Sequence, residues 1–373
     1  MKGNLLIIGI LVSFSASIYA QEEGWKPRTN NTGYIALEGN YLSDIQYYDR
    51  EYGMAISEAG LLTSYMPIEK LTIKSVFVYR PNLSIDQMLN EANAEYKIKD
   101  FLNLKGGRFL VPLSPMNTYY YAPVNNSATL PMLIQNHEFF PLNMDGLSFN
   151  GSVGEDINIK YDAFAGGFKN FLWIGTGALG FFGTEYDYFQ RIVNMDTTGY
   201  SETTANVDLQ FGMGGHVDVS YEDYITIGAG IFSSSESITS KEEEPDTGQV
   251  ATSITHVDKL SYGVNLKIKL ATLQLLSEYW KTTVTLDFGG MDFDMDYYGA
   301  FVELSNTFGK FIPYIRYEYH ERPTTAQQID YYRYTGGINY KPIFEVCIKL
   351  EYIYYDYQSL DLSGLVGTVI YSF

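Results

Sequence analysis

The chain has 373 residues, of which 34 are Tyr and 22 are Phe, and only 18% are charged. Its formal net charge of −19 argues against nucleic acid as a partner, because a phosphate backbone requires a basic surface. Its single cysteine, Cys347, excludes an internal disulfide and is expected to fill a small space in a strand.

The N-terminus has the pattern of a secretory signal peptide. Lys2 precedes an apolar run over residues 5–12, and small residues then lead to Ala20. The run is too short for a membrane-spanning helix, and no cysteine lies near the expected cut, which excludes a lipid-anchored lipoprotein. We therefore expect a signal peptide over residues 1–20 and a single mature domain over residues 21–373.

Alternation of apolar and polar residues with a period of two is the main signal in the rest of the chain, and it predicts β-strands. It is cleanest at 260–270, 311–320 and 344–354. It is less regular at 33–42, 53–65, 71–80, 94–104, 156–165, 205–220, 224–233, 272–281, 296–306 and 331–341.

Short and long connections alternate along the chain, a pattern that is not expected of a soluble β-sandwich. Short links fall near 67–69, 105–106, 154–155, 221–223, 270–271, 308–310 and 341–342. Long ones fall near 43–52, 81–93, 113–145, 166–204, 234–256, 282–295 and 321–330, with a shorter one near 356–361. This cadence predicts an all-β fold, a closed antiparallel transmembrane β-barrel of about 16 strands with short periplasmic turns and long extracellular loops.

The final strand ends on an aromatic residue. Leu365, Val369, Tyr371 and Phe373 share one face, which we expect to contact lipid and to serve as an assembly signal. An open sheet edge in hydrocarbon leaves backbone groups unpaired, so this strand should pair with the strand at 33–42.

The long loop at 113–145 is unusually poor in charge, since no charged residue lies between Arg108 and Glu138. An exposed loop of this kind would favour aggregation, so we expect it to pack against something. One hypothesis places it inside the barrel, where it narrows the pore; the alternative is an extracellular cap or a contact between barrels of an oligomer. The candidate constriction residues are Tyr119, Tyr120, Tyr121, Asn125, Asn126, Gln135 and His137.

Charged residues on the polar faces of the strands are candidates for the lumen lining. They are Lys267, Lys269, Glu278, Arg316, Glu318, Arg333, Lys349 and Glu351. They predict a hydrated wall of mixed sign that could select solutes by charge.

Catalytic and metal sites are not expected. The four histidines lack metal-ligand spacing, and no motif singles out a nucleophile with its base, so we predict no enzyme activity and no cofactor. Asp292, Asp294 and Asp296 share a face if extended, but a solvated acidic loop tip explains them better than a cation site.

The leader, the strand cadence and the terminal LVGTVIYSF resemble Gram-negative outer-membrane porins, and the segment GGRFLVPLSPMNTYYYAPVNNSATLPMLIQNHEFFPLNMDGLSFNG is similar to OmpL-like porins. The resemblance implies passive diffusion of small hydrophilic solutes across the bacterial outer membrane, with both termini periplasmic. It also implies contact with outer-membrane lipid, lipopolysaccharide and the barrel-assembly machinery, and leaves a homo-oligomer such as a trimer open. A substrate-specific channel for a sugar-like or partly apolar solute, and a structural or adhesion barrel with a blocked lumen, remain the rival functions.

Overall fold

The computed structural model describes most of the chain. The described residues are 25–43, 52–80, 88–118, 121–135, 139–168, 204–207, 210–243, 250–287, 290–323, 328–357 and 360–373. The predicted signal peptide over residues 1–20 lies outside them.

Within these ranges the chain forms seventeen strands that belong to a single sheet. They are β1 (Arg28–Ser43), β2 (Tyr52–Ile68), β3 (Leu71–Tyr79), β4 (Leu89–Lys99), β5 (Leu102–Leu110), β6 (Asn143–Val153), β7 (Ile157–Phe168), β8 (Thr204–Val207), β9 (Gln210–Tyr221), β10 (Ile225–Glu243), β11 (Val250–Leu270), β12 (Leu273–Asp287), β13 (Asp292–Asn306), β14 (Phe311–Pro323), β15 (Gln328–Ile343), β16 (Val346–Tyr357) and β17 (Leu360–Ser372).

Two short helices, α1 (Pro115–Thr118) and α2 (Met132–Gln135), lie in the connection between β5 and β6. Within the described residues, no helix combines the length and the apolar character needed to cross a membrane.

The sheet closes on itself. Each strand pairs antiparallel with the next, except that β7 pairs with β9 and β8 with β10, and β17 returns to pair with β1 from Tyr34 opposite Ser372 to Ser43 opposite Ser363. The strands β8 and β9 both pair with β10, so together they occupy one position in the wall. The result is a closed barrel of sixteen antiparallel strands, which confirms the predicted fold class and the predicted partner of the last strand.

The period of two separates an apolar outer face from a mostly polar inner face. Leu365, Val369, Tyr371 and Phe373 are exposed on the outer face, whereas Val366 and Ile370 between them are buried inside. An apolar outer surface suits lipid, and the alternation follows from strand geometry.

The two ends of the barrel differ. One end, the turn end, carries the described termini and short turns such as those at Glu69–Lys70 and Ala271–Thr272; the opposite end, the loop end, carries the longer connections. The turn end includes Gly154, whose φ of 102° favours glycine over any residue with a side chain.

Several element boundaries differ from the sequence prediction. The turn expected near 105–106 lies instead at 100–101, where Lys97 and Asp100 form an ion pair of 2.8 Å. The turn expected near 341–342 lies at 344–345, after a register shift between Tyr340 and Ile343.

The segment expected as a loop at 234–256 is mostly a hairpin, because β10 and β11 pair as far as Glu243 opposite Val250. The expected loop at 282–295 is likewise mostly strand, with Asp287 opposite Asp292. The first hairpin is rich in hydroxyl and charged residues on both faces. The second alternates in the reverse sense, with Val284 and Leu286 facing inward and Thr285 and Asp294 facing outward. Neither therefore shows the apolar outer face that marks a strand in lipid.

Candidate functional site

The described part of the connection between β5 and β6, residues 111–118, 121–135 and 139–142, packs inside the barrel; we call it the inner loop. Its buried residues Leu113, Leu133 and Phe140 form one apolar cluster with inward-facing residues of the wall. The wall members Phe164 and Phe168 (β7), Phe232 (β10), Trp280 (β12) and Phe301 (β13) come from well-separated strands. The inner loop therefore extends across the lumen rather than lying over its mouth.

Charged side chains of the wall hold the main chain of the inner loop. We call Arg316, Glu318, Arg333, Lys349 and Glu351 the charged clamp. Lys349 Nζ donates to the carbonyl oxygens of Ala122 at 2.7 Å and Ser127 at 2.9 Å. Glu351 accepts from the backbone N–H groups of Ala128 at 3.0 Å and Thr129 at 3.3 Å.

The remaining clamp residues continue this pattern along the loop. Arg316 Nη2 donates to the carbonyl oxygen of Thr129 at 3.0 Å, and Arg333 Nη2 donates to that of Leu130. Glu318 accepts from the N–H of Met132 at 2.7 Å. Cations therefore bind carbonyl oxygens and carboxylates bind N–H groups, so this stretch is held largely through its backbone.

The clamp is also a buried ion network. Arg333 Nη2 lies 2.8 Å from Glu318 Oε2, Arg316 contacts the other oxygen of Glu318, and Arg316 Nη1 lies 3.3 Å from Glu303. The side chains of both arginines are fully buried. Buried charges are tolerated only when they are paired and hydrogen-bonded. The inner loop supplies some of these hydrogen bonds and the ion network holds the inner loop, so each stabilises the other.

The wall strands β2, β3 and β4 form a second set of contacts with the inner loop. Glu58 accepts from the N–H of Ala122 at 3.0 Å and pairs with Arg80 at 2.7 Å. Tyr121 donates its hydroxyl to Glu91 Oε1 at 3.0 Å. Burial, followed by the nearby Glu91 carboxylate, raises the pKa of Tyr121, so its phenol stays a hydrogen-bond donor.

The start of the inner loop is fixed from β12 and from its own far end. Glu278 accepts from the N–H of Met116 at 3.3 Å. Asn117 Nδ2 donates to the carbonyl oxygens of Val111 at 2.8 Å and Leu142 at 3.1 Å, which draws the two ends of the loop together.

The lumen is asymmetric at the turn end. On one part of the wall, from β3 to β11, inward-facing side chains remain in contact with solvent: Lys74 is 41% exposed, Glu95 32%, Lys105 26% and Asp218 21%. We call this the open side. On the filled side, from β13 through β17 to β2, inward-facing Tyr34, Asn339, Thr368 and Ile370 are at most 4% exposed.

The open side carries paired charges. Lys74 lies 2.8 Å from Glu91, and Lys105 lies 3.0 Å from Glu95. Asp218 accepts from Asn265 Nδ2 at 3.1 Å, and His216 lies 3.6 Å from its other oxygen. These charged groups are therefore paired within a polar, hydrated part of the wall.

The structure separates the predicted constriction residues. Tyr121 and Asn125 are buried, and the carbonyl oxygen of Asn126 accepts from Asn339 Nδ2 at 3.3 Å. Tyr119, Tyr120 and His137 lie outside the described residues, as does the side chain of Gln135.

The predicted lumen candidates all lie on inward-facing positions, but they differ in hydration. Lys267 and Lys269 lie on the open side and are not buried. The other six, Glu278, Arg316, Glu318, Arg333, Lys349 and Glu351, are buried by the inner loop, so the hydrated wall expected for them is wrong there. The sequence did not point to Glu58 and Arg80, whose only signal is a charged residue within a strand-like apolar segment, or to Glu91, which lies in the connection predicted at 81–93.

The acidic run on β13 lies on the outer face near the loop end. Asp296 pairs with Lys281 at 2.9 Å, and Asp294 accepts from Thr285 Oγ1 at 2.7 Å. Among the described residues, no group of three or more metal-binding side chains is arranged to hold an ion.

Comparison with solved structures gives the fold an independent reference. OmpT of Vibrio cholerae, in a trimer form, has a TM-score of 0.61 at 12% identity, covering 94% of this chain and 100% of that one. The fold is that of the outer-membrane porins. The anion-selective porin of Comamonas acidovorans gives 0.59 at 11% identity, with 93% and 100% covered, and OmpF of Salmonella typhi gives 0.58 at 11% identity, with 92% and 97% covered.

At identities of 11–12%, the similarity to these structures shows the porin fold and nothing more specific. No protein-family model and no curated relative matches the chain. The OmpL-like subtype therefore stays a prediction.

Proposed function

We propose that the protein is an outer-membrane channel through which small hydrophilic solutes diffuse passively along the open side of the lumen. The observation that carries this proposal is the unequal exposure of inward-facing residues at the same end of the barrel. Lys74 is 41% exposed on the open side, whereas Thr368 is 4% exposed on the filled side. A charged side chain that faces the lumen and keeps its water marks where an aqueous path can run.

In this proposal the inner loop sets the width of the path. It covers the filled side and also reaches β7 and β10 across the lumen, and its described surface toward solvent includes Thr118 and Val124, both exposed. The candidates Tyr121, Asn125 and Asn126 then act mainly by holding the loop in place. The constriction is therefore built from loop residues that carry little charge. It differs from a constriction in which an acidic loop faces a basic wall.

The fold supports an outer-membrane location, since the solved structures above are outer-membrane proteins. We place the turn end and both termini in the periplasm, the outer face against lipid and lipopolysaccharide, and Leu365, Val369, Tyr371 and Phe373 in recognition by the barrel-assembly machinery. The trimer form of OmpT supports testing this chain for a homo-oligomer. No step of the proposal needs catalysis or a cofactor.

Liposome swelling tests the function. The full mature chain is reconstituted, and uptake is compared for a series of sugars, amino acids and organic acids of increasing size. Diffusion through the open side predicts uptake that falls smoothly with size. Uptake of one solute far above its size class supports a substrate-specific channel, and no uptake supports a barrel with a blocked lumen; either result contradicts the proposal.

A further inference from the structure

The turn-end mouth of the open side contains a row of hydrogen-bond donors without a carboxylate. Neighbouring strands place Asn158 opposite Ser220, Ser220 opposite Thr226, and Thr226 opposite Lys267. All four positions face the lumen and none is buried. Ser220 and Thr226 also share a hydrogen bond of 2.9 Å between their hydroxyls.

The row ends at Lys267, and two further lysines lie beside it. Lys160 is exposed on β7, two residues further along the inner face from Asn158. Lys267 and Lys269 lie on β11, two residues apart on one face, so their Cα atoms are about 7 Å apart. Three strand spacings separate β7 from β11, roughly 14 Å, a distance that two lysine side chains can bridge around a small solute.

These lysines differ from the other lysines of the open side. Lys74 and Lys105 are within 3.0 Å of a carboxylate, whereas none of Lys160, Lys267 and Lys269 forms an ion pair among the described residues. Asp218, opposite Lys160 in the strand register, accepts instead from Asn265 at 3.1 Å.

Two inner-face carboxylates lie beyond the row: Asp218 is opposite Lys160 and accepts from Asn265 Nδ2, and Asp162 lies two residues past Lys160 on β7. The other acidic residues near the site lie in the turns. Glu155 and Asp156 follow β6, and Glu222 and Asp223 follow β9; all four are exposed at the rim. The lysines face the lumen, so a solute inside the mouth meets ammonium, hydroxyl and amide groups first. Such donors bind carboxylate and phosphate oxygens through charge-assisted hydrogen bonds.

We propose that Lys160, Lys267 and Lys269, with the hydroxyl and amide groups between them, form a docking site for small multivalent carboxylate or phosphate solutes. The site deepens the proposed function, on which it rests, by naming anionic solutes as a class that the channel favours. The solute path would then be positively charged at this site, although the formal net charge of the whole chain is −19.

Calorimetric titration of citrate into the folded, full mature barrel in detergent tests the site without requiring transport. The triple variant K160Q/K267Q/K269Q should bind citrate about tenfold more weakly than the unmodified barrel, because three ammonium groups are lost. The matched control K70Q/K99Q/K310Q removes three exposed lysines from the same end and should leave affinity unchanged. Equal losses in both variants, or no citrate binding by the unmodified barrel, would overturn the proposal.

A planar-bilayer measurement keeps the two proposals distinguishable. In a KCl gradient, the permeability ratio of chloride to potassium should fall about threefold or more in K160Q/K267Q/K269Q but not in the control. A barrel that binds citrate but does not conduct contradicts the channel and leaves the docking site standing. A barrel that conducts with an unchanged ratio contradicts the docking site alone.

Discussion

Lys349 and Ala122 are separated by 227 positions in the chain, yet the ammonium of one donates to the carbonyl oxygen of the other at 2.7 Å. The same ammonium donates to the carbonyl oxygen of Ser127 at 2.9 Å. Through this residue, β16 holds both ends of a six-residue stretch of the inner loop, and that stretch stays on the filled side.

Replacing Lys349 by Met should therefore loosen the inner loop. A hydrogen bond from a charged group contributes about 1.5–3 kcal/mol, and two are lost. We expect a larger and noisier single-channel conductance than that of the unmodified protein. Lys310→Met, at an exposed turn, serves as the control and should leave conductance unchanged. Identical traces for both variants would show that Lys349 does not anchor the loop.

Glu318 should be the most sensitive carboxylate of the charged clamp. It pairs with two fully buried arginines, Arg316 and Arg333, so Glu318→Ala removes the carboxylate that both share and leaves Arg316 with Glu303 at 3.3 Å. We expect the free energy of unfolding to fall by about 3–5 kcal/mol, measured by urea titration in detergent. Glu321→Ala, on the outer face of the same strand, should cost less than about 1 kcal/mol. Comparable losses would contradict a buried network.

Two adjacent glycines of β15 offer a matched pair. A Cβ on Gly337 would lie 2.4 Å from the Tyr314 hydroxyl and 2.8 Å from a backbone oxygen, whereas one on Gly336 meets nothing within 4 Å. We expect Gly337→Ala to cost about 1–3 kcal/mol of unfolding free energy through overpacking. Gly336→Ala should be neutral or slightly stabilising. The reverse order would contradict the inward packing of Tyr314.

The C-terminal residue closes the seam between β17 and β1. The backbone N–H and carbonyl of Phe373 both pair with Gly33, each at 2.8 Å. Deleting Phe373 should lower the amount of barrel assembled in the outer membrane far more than the conductance of barrels that do assemble. Phe344→Ala, at an exposed aromatic of a nearby turn, is the comparison. Assembly at the level of this control would argue against a role for the seam.

The strands of the barrel wall could be predicted from the sequence because one face of each strand contacts lipid. Apolar and polar residues must therefore alternate along the strand. The pairing of residues 33–42 with the last strand followed from the need to close the sheet, and the register from Tyr34 to Ser43 agrees. The hairpin around residues 234–256 was missed because both of its faces are polar, so period-two alternation is lost. The hairpin around residues 282–295 was missed because its apolar residues, such as Val284 and Leu286, face inward and its polar residues face outward, the reverse of a strand in lipid.

The candidate site was only partly predictable. Alternation correctly put Arg316 and Lys349 on the inner face, but it carries no information on what lies opposite them. Their partners are backbone groups of the inner loop, and a carbonyl oxygen or N–H is present at nearly every residue. The sequence therefore could not distinguish a hydrated wall from one covered by a loop.

Cysteine accessibility tests the central claim most directly. In a Cys347→Ser background, which removes the chain's single thiol, Lys105→Cys places a thiol on the open side and Thr368→Cys places one on the filled side. A small, water-soluble, charged thiol reagent should react rapidly with Lys105→Cys and reduce its single-channel conductance, while Thr368→Cys stays unreacted with unchanged current. Equal reaction at both positions, or reaction at Thr368→Cys alone, would contradict a path along the open side.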